Sequence, residues 1–156
     1  VNKKVIVGNI LNALEAGLVA AVKASDQAHE TATHSENKAE NKFDTLGLEA
    51  AYLAHGQSQR VLECEAEIAS FKLILESPFQ EDTAAELGSL VQLEDSRGQK
   101  RSVYIGPCSG GVRVRVGELD IVVVTPQAPL CKVLLGKMEG DEIEFGQVLE
   151  VIIEII

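Results

Sequence analysis

Glu36, Glu40 and Asp44 recur at four-residue intervals, a spacing that sets three carboxylates on one face wherever the intervening chain is helical. Grouped carboxylates either solvate an exposed end of a structure or supply hard oxygen ligands to a cation such as magnesium. His29-Glu30 followed by His34 misses the zinc-binding spacing HExxH by one residue. Helix positions five apart lie about 140° apart, so these two imidazoles do not converge on one ion. His55 stands by itself and reads as a surface histidine. Gly106, Gly110 and Gly111 precede no GK[ST] and read as hairpin turns. Gly136-Lys137 has Cys131 where a phosphate loop would open on glycine and Met138 where it would place a hydroxyl, which leaves a helix C-terminus. Cys64, Cys108 and Cys131 have no histidine in the second half of the chain to activate them and form no CxxC pair. Inert thiols are expected, with neither a disulfide framework nor a zinc site.

Composition bounds what these residues can serve. A chain of 156 residues that is 46% hydrophobic can bury the core of one medium domain or two small ones. A net charge of −10 repels nucleic-acid phosphates over most of the surface, so direct DNA binding is not expected. An odd number of widely spaced cysteines fits a reducing compartment. No basic-then-apolar leader opens the sequence, and the longest apolar runs, such as Leu119 to Val124, are too short to span a bilayer. These features predict a cytoplasmic protein with no membrane contact.

The elements that would carry the candidate residues fall into two halves. All four prolines, Pro78, Pro107, Pro126 and Pro129, lie after residue 77. Upstream, Ile6, Ile10, Leu14 and Leu18 recur every four residues, while Val61, Cys64, Ile68, Phe71 and Leu75 alternate three and four, which predicts two amphipathic helices. Large side chains open the first stripe and close the second, with Ala24, Ala28, Ala32, Ala50, Ala51 and Ala54 between them. Antiparallel folding matches large with large and leaves an alanine-lined seam toward the reversal, which must fall between His34 and Gly47. Asn41 with Asp44 resembles a capping box there, and Ser77-Pro78 ends the second helix. Downstream the period becomes two, at Val91 and Leu93 and at Val112, Val114 and Val116, the last set alternating with Arg113 and Arg115. That arginine pair reads as the wet face of a strand or a partner contact. Leu119 to Val124 reads as a buried strand, Pro129 to Leu135 as a short helix and Val148 to Ile156 as a closing strand. The division expected is a coiled-coil hairpin over 1–77, a linker over 78–86 and an α+β unit over 87–156 whose small sheet is antiparallel.

The stretch Thr125-Pro-Gln-Ala-Pro-Leu-Cys-Lys-Val-Leu-Leu-Gly-Lys-Met-Glu-Gly-Asp-Glu-Ile-Glu144 closely resembles the Ser-Pro-(apolar)…Leu-Leu-Gly-Lys…Gly-Asp signature of the bacterial Gre transcript-cleavage factors. Gly88-Ser-Leu-Val-Gln-Leu-Glu-Asp95 is similar to that family's first strand after its coiled coil. With the hairpin ahead of it, the resemblance spans nearly the whole chain. It implies a coiled coil inserted through the secondary channel of RNA polymerase and an FKBP-like domain docked at the channel rim. It also implies carboxylates at the hairpin tip that help hold the polymerase's second magnesium and a water, so that backtracked RNA is cut near its 3′ end. The family's tip reads roughly Gly-Asp-Leu-x-Glu-Asn-x-x-Tyr, and two registers are open. Aligning Tyr52 puts Asp44 and Glu49 each one position from the family's acids; aligning Glu40-Asn41 puts Asn37 where the aspartate belongs. At the rim contact, the resemblance carries over Pro129 and Gln127.

The expectation is therefore a transcription elongation factor of Gre type. It would be an accessory of the polymerase rather than an enzyme by itself, with no cofactor of its own and the polymerase's magnesium implied. The alternative is a secondary-channel regulator without cleavage activity. A third reading, prolyl isomerase chemistry in the C-terminal half, needs an aromatic-lined pocket, for which only Phe79, Tyr104 and Phe145 are on hand.

Overall fold

The computed structural model describes residues 2–36, 45–76 and 84–156. Helix α1 spans Lys3–Glu36. It starts where Asn2 satisfies two otherwise orphaned donors: Asn2 Oδ1 accepts from the Lys4 amide at 2.8 Å and the Asn2 carbonyl accepts from Val5 at 2.9 Å. Helix α2 spans Leu46–Glu76, and the Thr45 carbonyl accepts its first bond, from the Glu49 amide at 2.9 Å. The capping box expected at Asn41 and Asp44 lies outside the described residues, as do the expected helix end at Ser77 and residues 78–83 of the expected linker.

Packing divides the chain differently from the expected division along the sequence. One compact unit is Leu14–Ile68 and the other joins Val1–Ala13 to Ala69–Ile156. Within the first, Leu14, Ala21, Ser25, Ala28 and Ala32 of α1 and Ala50, Ala54, Cys64 and Ile68 of α2 are buried, the antiparallel seam of small residues that the two stripes predict. Ala24 and Ala51 are half-buried at its margin. Methyl groups bury little area at about 25 cal/mol per Å², so this seam depends on close approach more than on transfer energy.

The second unit holds a six-stranded sheet built from β1 Leu90–Asp95, β2 Lys100–Ile105, β3 Arg113–Val116, β4 Leu119–Val124, β5 Glu142–Phe145 and β6 Val148–Ile155, with α3 at Pro129–Leu134. Its order is β3-β4-β2-β1-β6-β5. Four ladders are antiparallel, but β2 and β4 pair in parallel. The sheet is thus mostly antiparallel, and connectivity explains its one parallel ladder: β3 takes the outer position, so the chain reverses twice before β4 lies beside β2. The period of two also passed over β2 and β5. In β2 the polar Lys100-Arg101-Ser102 runs into Val103-Tyr104-Ile105 without alternation, because that end of the strand is buried on both faces.

Cross-strand partners share a face, so Leu90, Tyr104, Ile121 and Val123 lie on one side and Val91, Leu93, Val103, Ile105 and Ile152 on the other. The first side meets the helical residues of this unit, with the rings of Tyr104 and Phe71 6.3 Å apart. The second is closed by Leu130, Cys131 and Leu134 of α3. Gly106 does not serve a hairpin turn as its sequence context suggests. A Cβ there would stand 2.8 Å from Val123 Cγ1 and 3.0 Å from Phe71 Cζ, so glycine lets α2 approach the end of β2. Tyr104 faces Phe71, whereas Phe145 packs on the opposite side under Arg101. Those two aromatics therefore do not line one prolyl pocket, and Phe79 lies outside the described residues.

Contiguous runs are too short to span a bilayer, yet residues Lys3–His34 of α1 are, by length and composition, apolar enough to cross one. Small residues spread among few charges achieve this without an unbroken run. Within α1, the stripe Ile6, Ile10, Leu14, Ala21 and Ala28 is buried in the fold.

Candidate functional site

Of the four acids that sequence and resemblance single out, only Glu49 is described in full. It is exposed in the first turn of α2, where a carboxylate is favoured by the positive end of the helix dipole. Glu36 closes α1, with its side chain outside the described set, and Glu40 and Asp44 lie wholly outside it. No described contact brings the four together. Among the described residues, no group of three or more His, Cys, Asp or Glu side chains is arranged to hold a metal.

The second candidate region is α3 and its flanks. Pro129 sits at the first helical position, where its fixed φ fits and its missing N–H costs no hydrogen bond. The Ala128 carbonyl accepts from the Lys132 amide at 3.1 Å, and the Ala128 amide donates to Thr125 O at 2.9 Å. Leu130, Cys131 and Leu134 turn inward, while Gln127 and Pro129, on either side of Ala128, are exposed. The motif that follows has a structural logic. Gly136, at φ +78°, ends the helix and donates to Ala85 O at 2.8 Å, while the Ala85 amide donates to Lys137 O at 2.7 Å. Gly140, at φ +87°, makes the turn in which Asp141 Oδ2 accepts from the Met138 amide at 2.8 Å. Leu-Leu-Gly-Lys and Gly-Asp thus fix the course of the chain from α3 into β5. Burial pushes the Cys131 thiol up, which suppresses its thiolate and agrees with the inert reading.

A third group was not anticipated as a unit. His29 and Thr33 of α1 and His55 and Ser58 of α2 line one hollow of about 280 Å³ over a floor of alanine. Ser58 Oγ donates to the Ala54 carbonyl at 3.0 Å. Its single proton is thereby used, so the 3.1 Å contact with His29 Nε2 has the imidazole N–H donating and the hydroxyl oxygen accepting. Ser25 Oγ approaches the same oxygen at 3.3 Å and donates to it as well. The sequence signal was a hydroxyl, Ser25, occupying a buried stripe position between Ala21 and Ala28. The HExxH comparison paired His29 with His34, along one helix, and so missed the partner across the seam.

No family model matches the chain, and no curated protein matches it. Among solved structures, it is similar to the GreA factor homolog 1 (Gfh1) protein of Thermus thermophilus at 23% identity, covering 94% of each chain with a TM-score of 0.38. A second structure, described as the transcription factor Gfh1, is 21% identical with a TM-score of 0.37, covering 93% of this chain and 92% of its own. At that level of superposition the likeness says nothing about activity.

Proposed function

We propose that this chain is a Gre-type transcription factor that binds RNA polymerase through the secondary channel and stimulates cleavage of backtracked RNA. The observation that carries the reading is the union, in one chain, of a long helical hairpin with the Leu134-Leu135-Gly136-Lys137…Gly140-Asp141 block. Helices of 34 and 31 residues are about 45 to 50 Å long at 1.5 Å per residue, longer than a small globular core requires. Along the sequence, Glu36, Glu40, Asp44 and Glu49 fall at the end of the first helix, between the helices and at the start of the second, and the exposed Gln127 and Pro129 are the residues that this reading assigns to the channel rim.

Magnesium takes one or two carboxylates and completes its shell with water and phosphate, so acids on an inserted hairpin can finish a site begun by the polymerase. In this reading the chain contributes ligands and position, holds no cofactor of its own, and meets the RNA 3′ end only indirectly. It is an accessory, not an enzyme by itself.

The test is RNA cleavage in stalled, backtracked polymerase complexes. Added protein should accelerate cleavage, and replacing Glu36, Glu40 and Asp44 together with alanine should remove the acceleration while binding persists. A second reading is favoured by the tip sequence itself, which reproduces the family's acidic pair in neither register. There the hairpin occupies the channel and modulates transcription without cutting. Tight association with no acceleration would select it, and no association at all would end both.

A further inference from the structure

We propose that His29 and His55 form a binding site for a late first-row divalent cation of the zinc or nickel class, bridging α1 and α2 across the alanine seam. The chain has three histidines, and two of them line the same hollow from opposite helices. Ala32 and Ala54 fill little of that space, which leaves room between the helices for an ion and its waters.

The hydrogen bonding prepares one ligand. Because the Ser58 hydroxyl donates to Ala54 O, His29 must carry its proton on Nε2, and the lone pair then resides on Nδ1. A ligating histidine characteristically donates its other ring N–H to a fixed acceptor, and Ser58 is such an acceptor here. Thr33 donates to the His29 carbonyl at 2.9 Å, so its oxygen lone pairs are also open to a cation or its water.

Ligand chemistry sets the class of ion. Among the described residues, the hollow is lined by imidazole and hydroxyl groups and by no carboxylate. Imidazole nitrogen suits zinc, nickel and copper, whereas magnesium and calcium require several oxygens. Two protein ligands leave the remaining positions to water, consistent with the absence of any group of three ligating side chains among the described residues. An ion held from both helices would clamp them together, independently of any polymerase contact.

The experiment is titration of the full chain with zinc and, separately, magnesium, read by calorimetry and by the thermal unfolding midpoint. Saturable one-to-one zinc binding below about 1 mM is expected, with a rise in midpoint and no response to magnesium. His29→Ala and His55→Ala should each weaken binding at least about 10-fold and abolish the rise, whereas His34→Ala should leave both unchanged. Ser58→Ala should weaken binding with both imidazoles retained, the signature of a positioning role. Circular dichroism of each variant confirms that the helices remain. The proposal is overturned if zinc does not saturate, if His29→Ala and His55→Ala bind as tightly as the parent, or if Cys108→Ser removes the binding instead.

Discussion

Ser58 shows how a single proton decides the state of a neighbouring ring. Its hydroxyl closes back onto its own helix at Ala54, as serine often does, and what remains for α1 is an acceptor. His29 and Ser25 both use it, so a small polar knot sets the register of a seam that alanine alone would leave weakly specified. Gly106 makes a comparable point in the other unit. Its missing side chain is what allows the contact with Phe71 and Val123, and Gly106→Ala should cost about 1–3 kcal/mol by forcing those neighbours apart, checked by urea unfolding. Cys131 links burial to pH. Its folded value is raised above the ordinary 9.0, so the unfolded chain releases the proton first as the pH climbs. Stability from this source is therefore intact below pH 9.0 and declines above it. Denaturation midpoints followed from about pH 8 to about pH 10 should fall more steeply for the natural chain than for Cys131→Ala.

At the scale of elements, the alanine seam and the sheet are built by opposite means. Away from the hollow at His29 and His55, the seam gains stability from proximity, and a branched side chain has no room in it. Ala28, 6% exposed, is the test position: Ala28→Leu should lower stability by about 1–3 kcal/mol, while the same change at the half-buried margin, Ala24→Leu, should be tolerated better. Both can be read from one set of thermal melts. The sheet instead relies on large side chains on two faces, one meeting Phe71 and the other meeting α3. Helix α3 is short, and its position is fixed by Leu130 and Leu134 below and by the paired bonds between Ala85 and Gly136-Lys137. That arrangement explains how Pro129, at the start of so small an element, and Gln127, just before its N-cap, are held in place.

For the molecule as a whole, an excess of acids is its main long-range property. With a net charge of −10, the full chain should give no mobility shift with DNA or RNA at physiological salt, and any nucleic-acid contact should require a protein partner. Much of the architecture was legible beforehand, because helical and strand periods are local consequences of which side chains must be buried. Both long helices, the alanine seam, β1, β3, β4, α3 and β6 follow from spacing in this way. Other features depend on neighbours far along the chain. The sequence by itself determined the two-helix hairpin, the strand-rich second half and the helix end at Gly136-Lys137, since each follows from the pattern of residues within a few positions. Only the tertiary structure decided that β2 and β4 run parallel, that Gly106 marks a close approach, and that His29 meets Ser58 and shares a hollow with His55. Those outcomes join residues 17 to 35 positions apart, and only packing, not periodicity, selects which of them become neighbours.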